Sequence, residues 1–167
     1  IHANGLTLAR KISEKIPKGL AAKMPNGKMY GEELLKPTIL YSRVINQVLD
    51  AGIDIHYLIN ITGHGWRKLM RANKTFTYMI DSLPEVPDVF KFIQEKSKLS
   101  DREMYGTFNM GAGFAIFVPE NKVNKVIEIS VKHHIRAYKA GVVKKGKKQV
   151  IIRPLSIIFK GEDLKIR

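Results

Sequence analysis

Apolar positions recur at near-helical spacing from Leu6 to Ile16, through Leu8, Ala9 and Ile12, and predict a first helix that Asn4 is placed to cap. Lys18 to Gly31 is dense in proline and glycine and predicts loop and turn. Glu32 to Leu35 predicts a short helical turn, and Lys36-Pro37-Thr38 opens a helix from Ile39 to Ala51 that Gly52 ends. Ile53 to Ile61 alternates through Ile55, Tyr57 and Ile59 as a strand does, and runs into Thr62-Gly63-His64-Gly65 and a helical stretch from Trp66 to Ala72. Phe76 to Ile80 predicts another strand. Pro84 and Pro87 break the chain before a helix from Val89 to Lys96.

Glu103 to Val118 is the pivot of the pattern. Ser100, with Glu103 three residues on, has the spacing of a capping box at a helix start. Phe114 to Val118 is apolar, aromatic and β-branched, which predicts a buried strand ended by Pro119. Between them Asn109-Met110-Gly111-Ala112-Gly113 sets two glycines one residue apart, where backbone can take positive φ or admit a close neighbour. A tight turn feeding a core strand explains this composition, and so does a loop offering N–H groups to an anion. Asn121 to Ile135 predicts an amphipathic helix with Val123, Val126, Ile127 and Val131 inward. Ala137 to Val143 and Gln149 to Phe159 predict the last strands, with Lys144-Lys145-Gly146-Lys147-Lys148 as a solvated hairpin tip. Helices and strands mix without a repeat and without strict βαβ alternation. The expected fold is α+β, a mixed β-sheet covered by helices, in a single domain spanning residues 1–167.

Composition narrows the chemistry. The 167 residues contain no cysteine, which excludes disulfides and thiolate ligands and makes a reducing compartment, the cytoplasm, the default. No apolar run approaches the roughly 18 residues of a membrane span. The chain opens on Ile1-His2-Ala3-Asn4-Gly5 without an initiator methionine or a signal peptide, as a piece of something longer would. A net charge of +14 favours phosphate-bearing partners. Its lysines and arginines are scattered over the predicted helices, with one true cluster at Lys144-Lys145-Gly146-Lys147-Lys148 and no aromatic interleaving, so the composition reads as a solvated surface rather than a nucleic-acid site. His133 and His134 are sequence neighbours and point apart, which argues against a metal pair. No Gly-x-Ser-x-Gly elbow, zinc-binding His-Glu-x-x-His or triad is present.

Three glycine turns remain, at His2 to Gly5, Thr62 to Gly65 and Asn109 to Gly113, each beside a helix or strand end. Free N–H groups at such ends suit phosphate or carboxylate. The bland reading is an N-cap and two turns. His64 is placed to bind phosphate or move a proton, although a lone histidine in a glycine turn is more often only tolerated there.

Together the turns resemble the C-terminal domain of the aminoimidazole ribonucleotide synthetase (phosphoribosylformylglycinamidine cyclo-ligase) family. The resemblance rests on His2-Ala3-Asn4-Gly5-Leu6-Thr7-Leu8-Ala9-Arg10, Gly31-Glu32-Glu33-Leu34-Leu35-Lys36-Pro37-Thr38, Ile61-Thr62-Gly63 and, most specifically, Glu103-Met104-Tyr105-Gly106-Thr107-Phe108-Asn109-Met110-Gly111-Ala112-Gly113. It implies ATP- and magnesium-dependent ring closure of formylglycinamidine ribonucleotide. The nucleotide-binding machinery would lie mainly in an N-terminal domain absent from this chain, so that the fragment alone would be inactive and the full-length protein a homodimer. The resemblance further implies His2 as the catalytic residue, with Asn4, Gly5, Thr62, Gly63, His64, Gly65, Asn109, Met110 and Gly111 lining one mouth for substrate or phosphate, and no metal ligand here.

Two departures bear on the substrate. The family has His-Ile-Thr-Gly-Gly-Gly where this chain has Asn60-Ile61-Thr62-Gly63-His64-Gly65, which puts a side chain at what is expected to be a crowded turn, and Ala3 replaces the usual serine. His64 then either supplies from a new position the imidazole lost at Asn60 or marks a paralogue with another acceptor. From a different class, the alternative is a noncatalytic anion- or nucleic-acid-binding module.

Overall fold

The computed structural model describes residues 5–164. Among the described residues six α-helices and six strands are joined by 3-10 turns: α1 Leu6–Ser13, α2 Tyr30–Leu34, α3 Ser42–Asp50, β1 Tyr57–Asn60, β2 Phe76–Ile80, α4 Asp88–Ser97, α5 Asp101–Thr107, β3 Phe114–Phe117, α6 Val123–Lys132, β4 Gly141–Lys145, β5 Gln149–Ile152 and β6 Ile157–Lys160. The α+β expectation holds, with the strands divided between two sheets. Four strands run in the order β4-β2-β5-β6, with β2 and β5 parallel and the other pairs antiparallel, and β1 and β3 form a separate antiparallel ladder.

The pleat of that ladder divides the interior. Ile59, Ala115 and Phe117 pack toward the main core, built around Trp66, Phe90, Phe108 and Ile152, while Ile116 and Val118 pack toward a second cluster of Val44, Val48, Ile53, Val126 and Ile129 from α3 and α6. Alternation with period two produces this two-sided burial. The β3 strand is half-buried rather than buried as expected, because it pairs with β1 alone and lines a broad open groove with residues of α6 and β4.

Several boundaries differ from expectation for local reasons. The N-cap of α1 is Gly5, at φ 103, and not Asn4, which lies outside the described residues. Helix α3 starts at Ser42 rather than Ile39: Pro37 disfavours helical backbone before it, and Leu40 is 81% exposed, so no apolar face draws the start forward. Gly52 ends the helix as expected, at φ 65. The expected strand from Ile53 shortens to Tyr57–Asn60. The stretch after Gly65 is a 3-10 helix, Gly65–Arg71. On α6 the buried residues are Val126, Ile129 and Ser130, whereas Val131 is 58% exposed at the groove. The last expected strand is two, because Arg153-Pro154-Leu155 forms a 3-10 turn and Ser156, at φ 53, reverses the chain. Nor is the lysine-rich segment a simple hairpin tip: β4 and β5 both flank β2, so the link between them passes over the start of β2.

Candidate functional site

The segment from Tyr105 to Gly113 is the hub onto which the glycine turns close. Helix α5 enters it through the expected capping box, in which the Glu103 backbone N–H donates to Ser100 Oγ and the Ser100 N–H donates to Glu103 Oε2 at 2.8 Å. At its far end Phe108 leaves the helix for extended backbone, and its ring lies against Gly5: a Cβ there would stand 2.5 Å from Phe108 Cε1. Only glycine lets the start of α1 approach so closely. His2 and Asn4 lie outside the described residues, so Gly5 marks the first turn in this arrangement.

The second turn meets the same segment from another side. A Cβ on Gly65 would stand 2.1 Å from the Tyr105 carbonyl oxygen and 2.8 Å from the Gly106 carbonyl carbon. Trp66, 1% exposed, follows, and its Nε1–H donates to the Asn109 carbonyl at 3.0 Å. Arg67 completes the clamp, donating from Nε and Nη2 to the Gly106 carbonyl at 3.1 and 2.6 Å and from Nη1 to the Asp163 carbonyl at 3.0 Å. Its planar fork suits several backbone acceptors at once, which makes it a fastener between elements.

The crowding expected at the substituted position falls one residue later. Position 64 is half-buried and left-handed, with φ 72, a conformation that glycine adopts without strain and that costs a histidine roughly 1–2 kcal/mol. Position 65, where a methyl group has no room, keeps its glycine. No hydrogen bond engages the His64 imidazole among the described residues.

Lys68 has a different task from Arg67. Its Nζ donates to Thr62 Oγ1 at 2.6 Å, reaching back over the turn, and burial, followed by the nearby Arg71 charge, pushes its ammonium below the usual lysine range. An ammonium carries three N–H donors, so two remain for a ligand. Neither Arg67 nor Lys68 stands out in the sequence; the available signal was a pair of basic residues just past a strand–glycine–turn.

In the third turn the Gly111 N–H donates to Asn109 Oδ1 at 3.0 Å, Met110 adopts φ 50 and Gly111 φ 100. Asn109 and Met110 are 7% and 1% exposed, so their side chains build the turn and the core beneath it. Gly111 also passes against the link before α4, where a Cβ would stand 2.8 Å from the Glu85 carbonyl oxygen. The Gly113 carbonyl accepts from the Ile61 N–H at 2.9 Å and ties the hub to the strand leading into Thr62. Thr62, Gly63 and His64 are left half-buried. Among the described residues no group of three or more His, Asp or Glu could hold a metal ion, and no helix is long and apolar enough to cross a membrane.

Comparison with known proteins places this arrangement. Residues 1–153 match the family model described as AIR synthase related protein, C-terminal domain. A phosphoribosylformylglycinamidine cyclo-ligase of Methanocaldococcus jannaschii is 46% identical over 145 residues, covering 86% of this chain and 41% of that protein. The protein of the same name from Methanococcus maripaludis strain C7 is 42% identical over 147 residues, 87% of this chain and 42% of its own length. That from Methanopyrus kandleri is 38% identical over 153 residues, 90% and 43% of the two chains. The chain thus spans less than half the length of the curated relatives it matches. With the match running from the first glycine turn through the hub to β5 of the mixed sheet, the chain belongs to the AIR synthase related protein C-terminal domain family.

Proposed function

We propose that this chain is the C-terminal domain of an ATP-dependent cyclo-ligase that converts formylglycinamidine ribonucleotide to aminoimidazole ribonucleotide in purine biosynthesis, a cytoplasmic enzyme that is homodimeric at full length. The observation that carries the proposal is the closure of Gly5 and Gly65 onto the Tyr105–Gly113 segment, which itself contains the third turn, in a chain whose relatives bear that name. ATP supplies the phosphoryl group that turns the formyl oxygen into a leaving group, and the substrate's amine nitrogen then attacks that carbon and expels the oxygen as phosphate. ATP and magnesium belong, on this reading, mainly to the upstream domain.

What this chain contributes is position and charge, which such chemistry needs more than a nucleophilic side chain. Lys68 and Thr62 would hold a phosphate at the turn, Gly65 keeps the backbone close to α5, and His2, Asn4 and Gly5 would contact the substrate. Arg67 and Trp66 hold the turn against the hub.

Calorimetric titration of the protein produced with its upstream coding region tests the proposal. The ribonucleotide is expected to bind at least tenfold more tightly than the same riboside without its phosphate, and His2→Ala or Asn4→Ala to weaken ribonucleotide binding by a similar factor. Equal affinity for the two compounds, or variants that bind as the parent does, would contradict it.

A further inference from the structure

The crossover from β4 to β5 carries the one dense run of lysines in the chain, Lys144-Lys145-Gly146-Lys147-Lys148, and the fold adds two lysines distant from it in sequence. Lys144 and Lys145 pair with Thr77 and Phe76 at the start of β2, Gln149 pairs with Thr77 from the other side, and Lys160 ends β6 opposite Gln149. Lys147 and Lys148 sit in the link itself. Lys148 lies beside Gly161, where an added Cβ would stand 3.4 Å from Lys148 Cβ. Lys74 lies two residues before β2. All six therefore occupy one end of the four-stranded sheet.

Their presentation is fixed. Thr77, 8% exposed, donates from Oγ1 to the Lys147 carbonyl at 2.9 Å and accepts from Gln149 Nε2 at 3.3 Å, pinning the crossover over the strand it spans. The charge is also uncompensated. Between Glu128 and Glu162 there is no acidic residue and there are nine lysines and arginines. Lys74, Lys144, Lys145, Lys147 and Lys148 have no ion pair among the described residues, and Lys160 reaches only Glu162, at 3.9 Å. Elsewhere carboxylates are matched to lysines: Glu33 takes Lys28 and Lys36, Asp88 takes Lys91 and Glu120 takes Lys139. Guarding a sheet edge explains Lys144 and Lys145 on β4. It does not explain Lys147, Lys148 or Lys74, which lie off the edge.

We propose that this end of the sheet binds the phosphate backbone of nucleic acid without reading its sequence. Backbone binding requires a cluster of cations on a held backbone and no base-reading group, which is what the crossover offers. Residues 144–149 carry no large apolar side chain to enter a lipid interface, which favours nucleic acid over a membrane. The patch lies at the start of β2, about 16 Å of strand from the end that leads toward Gly111, and the inference is independent of the cyclo-ligase reading.

The test is fluorescence anisotropy of a labelled 20-nucleotide poly-uridine RNA with this chain between 50 and 300 mM NaCl. With four phosphate contacts the log–log salt slope is expected near about −2.8, roughly a hundredfold loss across that range. K144Q/K145Q/K147Q/K148Q is expected to weaken binding at 50 mM salt at least tenfold and flatten the slope. The equally charge-depleted K11Q/K15Q/K18Q/K23Q is expected to change it less than threefold. These eight positions are exposed or half-buried, and circular dichroism confirms that each variant is folded. No binding at 50 mM salt, equal losses in the two variants, or binding to phosphatidylserine vesicles without binding to RNA would overturn the proposal.

Discussion

Gly65→Ala is expected to destabilise the chain by more than about 3 kcal/mol and to dismantle the mouth of the site. Two effects combine at this position. The backbone is left-handed, at φ 53, which costs an alanine roughly 1–2 kcal/mol. The added methyl would also stand 2.1 Å from the Tyr105 carbonyl oxygen, so the turn must move away from α5. That motion breaks the Trp66 bond to the Asn109 carbonyl and both Arg67 bonds to the Gly106 carbonyl. Gly52→Ala separates the two effects, because Gly52 has a similar φ of 65 and nothing within 4 Å of an added Cβ. Urea unfolding of the chain should show Gly52→Ala losing about 1–2 kcal/mol and Gly65→Ala at least twice that. Equal losses would mean that the turn does not lean on the hub.

Lys68→Met is expected to lower kcat/KM for the ribonucleotide by about 10- to 100-fold in the protein produced with its upstream region. A hydrogen bond to a charged group contributes about 1.5–3 kcal/mol, which sets that range. The half-buried ammonium is fixed by Thr62 at 2.6 Å and has donors to spare, whereas the Arg67 donors go to backbone carbonyls. Lys68→Arg keeps the charge and should recover part of the loss. Steady-state kinetics with both variants checks this. A Lys68→Met enzyme with parental kcat/KM would remove Lys68 from the site.

What was legible in the sequence was local. The limits of β2, the Ser100–Glu103 capping box and the glycine hinge before β3 depend on residues a few positions apart, and each stands where the sequence put it. What was not legible depends on partners far along the chain. The insertion of β2 between β4 and β5 is a pairing decision that no periodicity encodes, and it converts an apparent hairpin tip into a pinned crossover. The half-burial of β3 follows from its having one neighbour, and the exposure of Val131 from its place at the groove. Pro154 was a visible break inside the expected last strand, outweighed by the apolar residues on either side of it. At the site, the three turns were identifiable as backbone features, but the approach of the first two to the segment that holds the third, and the separate duties of Arg67 and Lys68, are properties of tertiary contact.

The most direct measurement is product formation by the protein restored to its upstream coding region, supplied with ATP, magnesium and formylglycinamidine ribonucleotide. ADP release and the aminoimidazole product should appear together and in equal amounts, and both should depend on the ribonucleotide. A folded protein that binds ATP and forms no aminoimidazole product would contradict the cyclo-ligase assignment and point to a different acceptor read by the turn at His64.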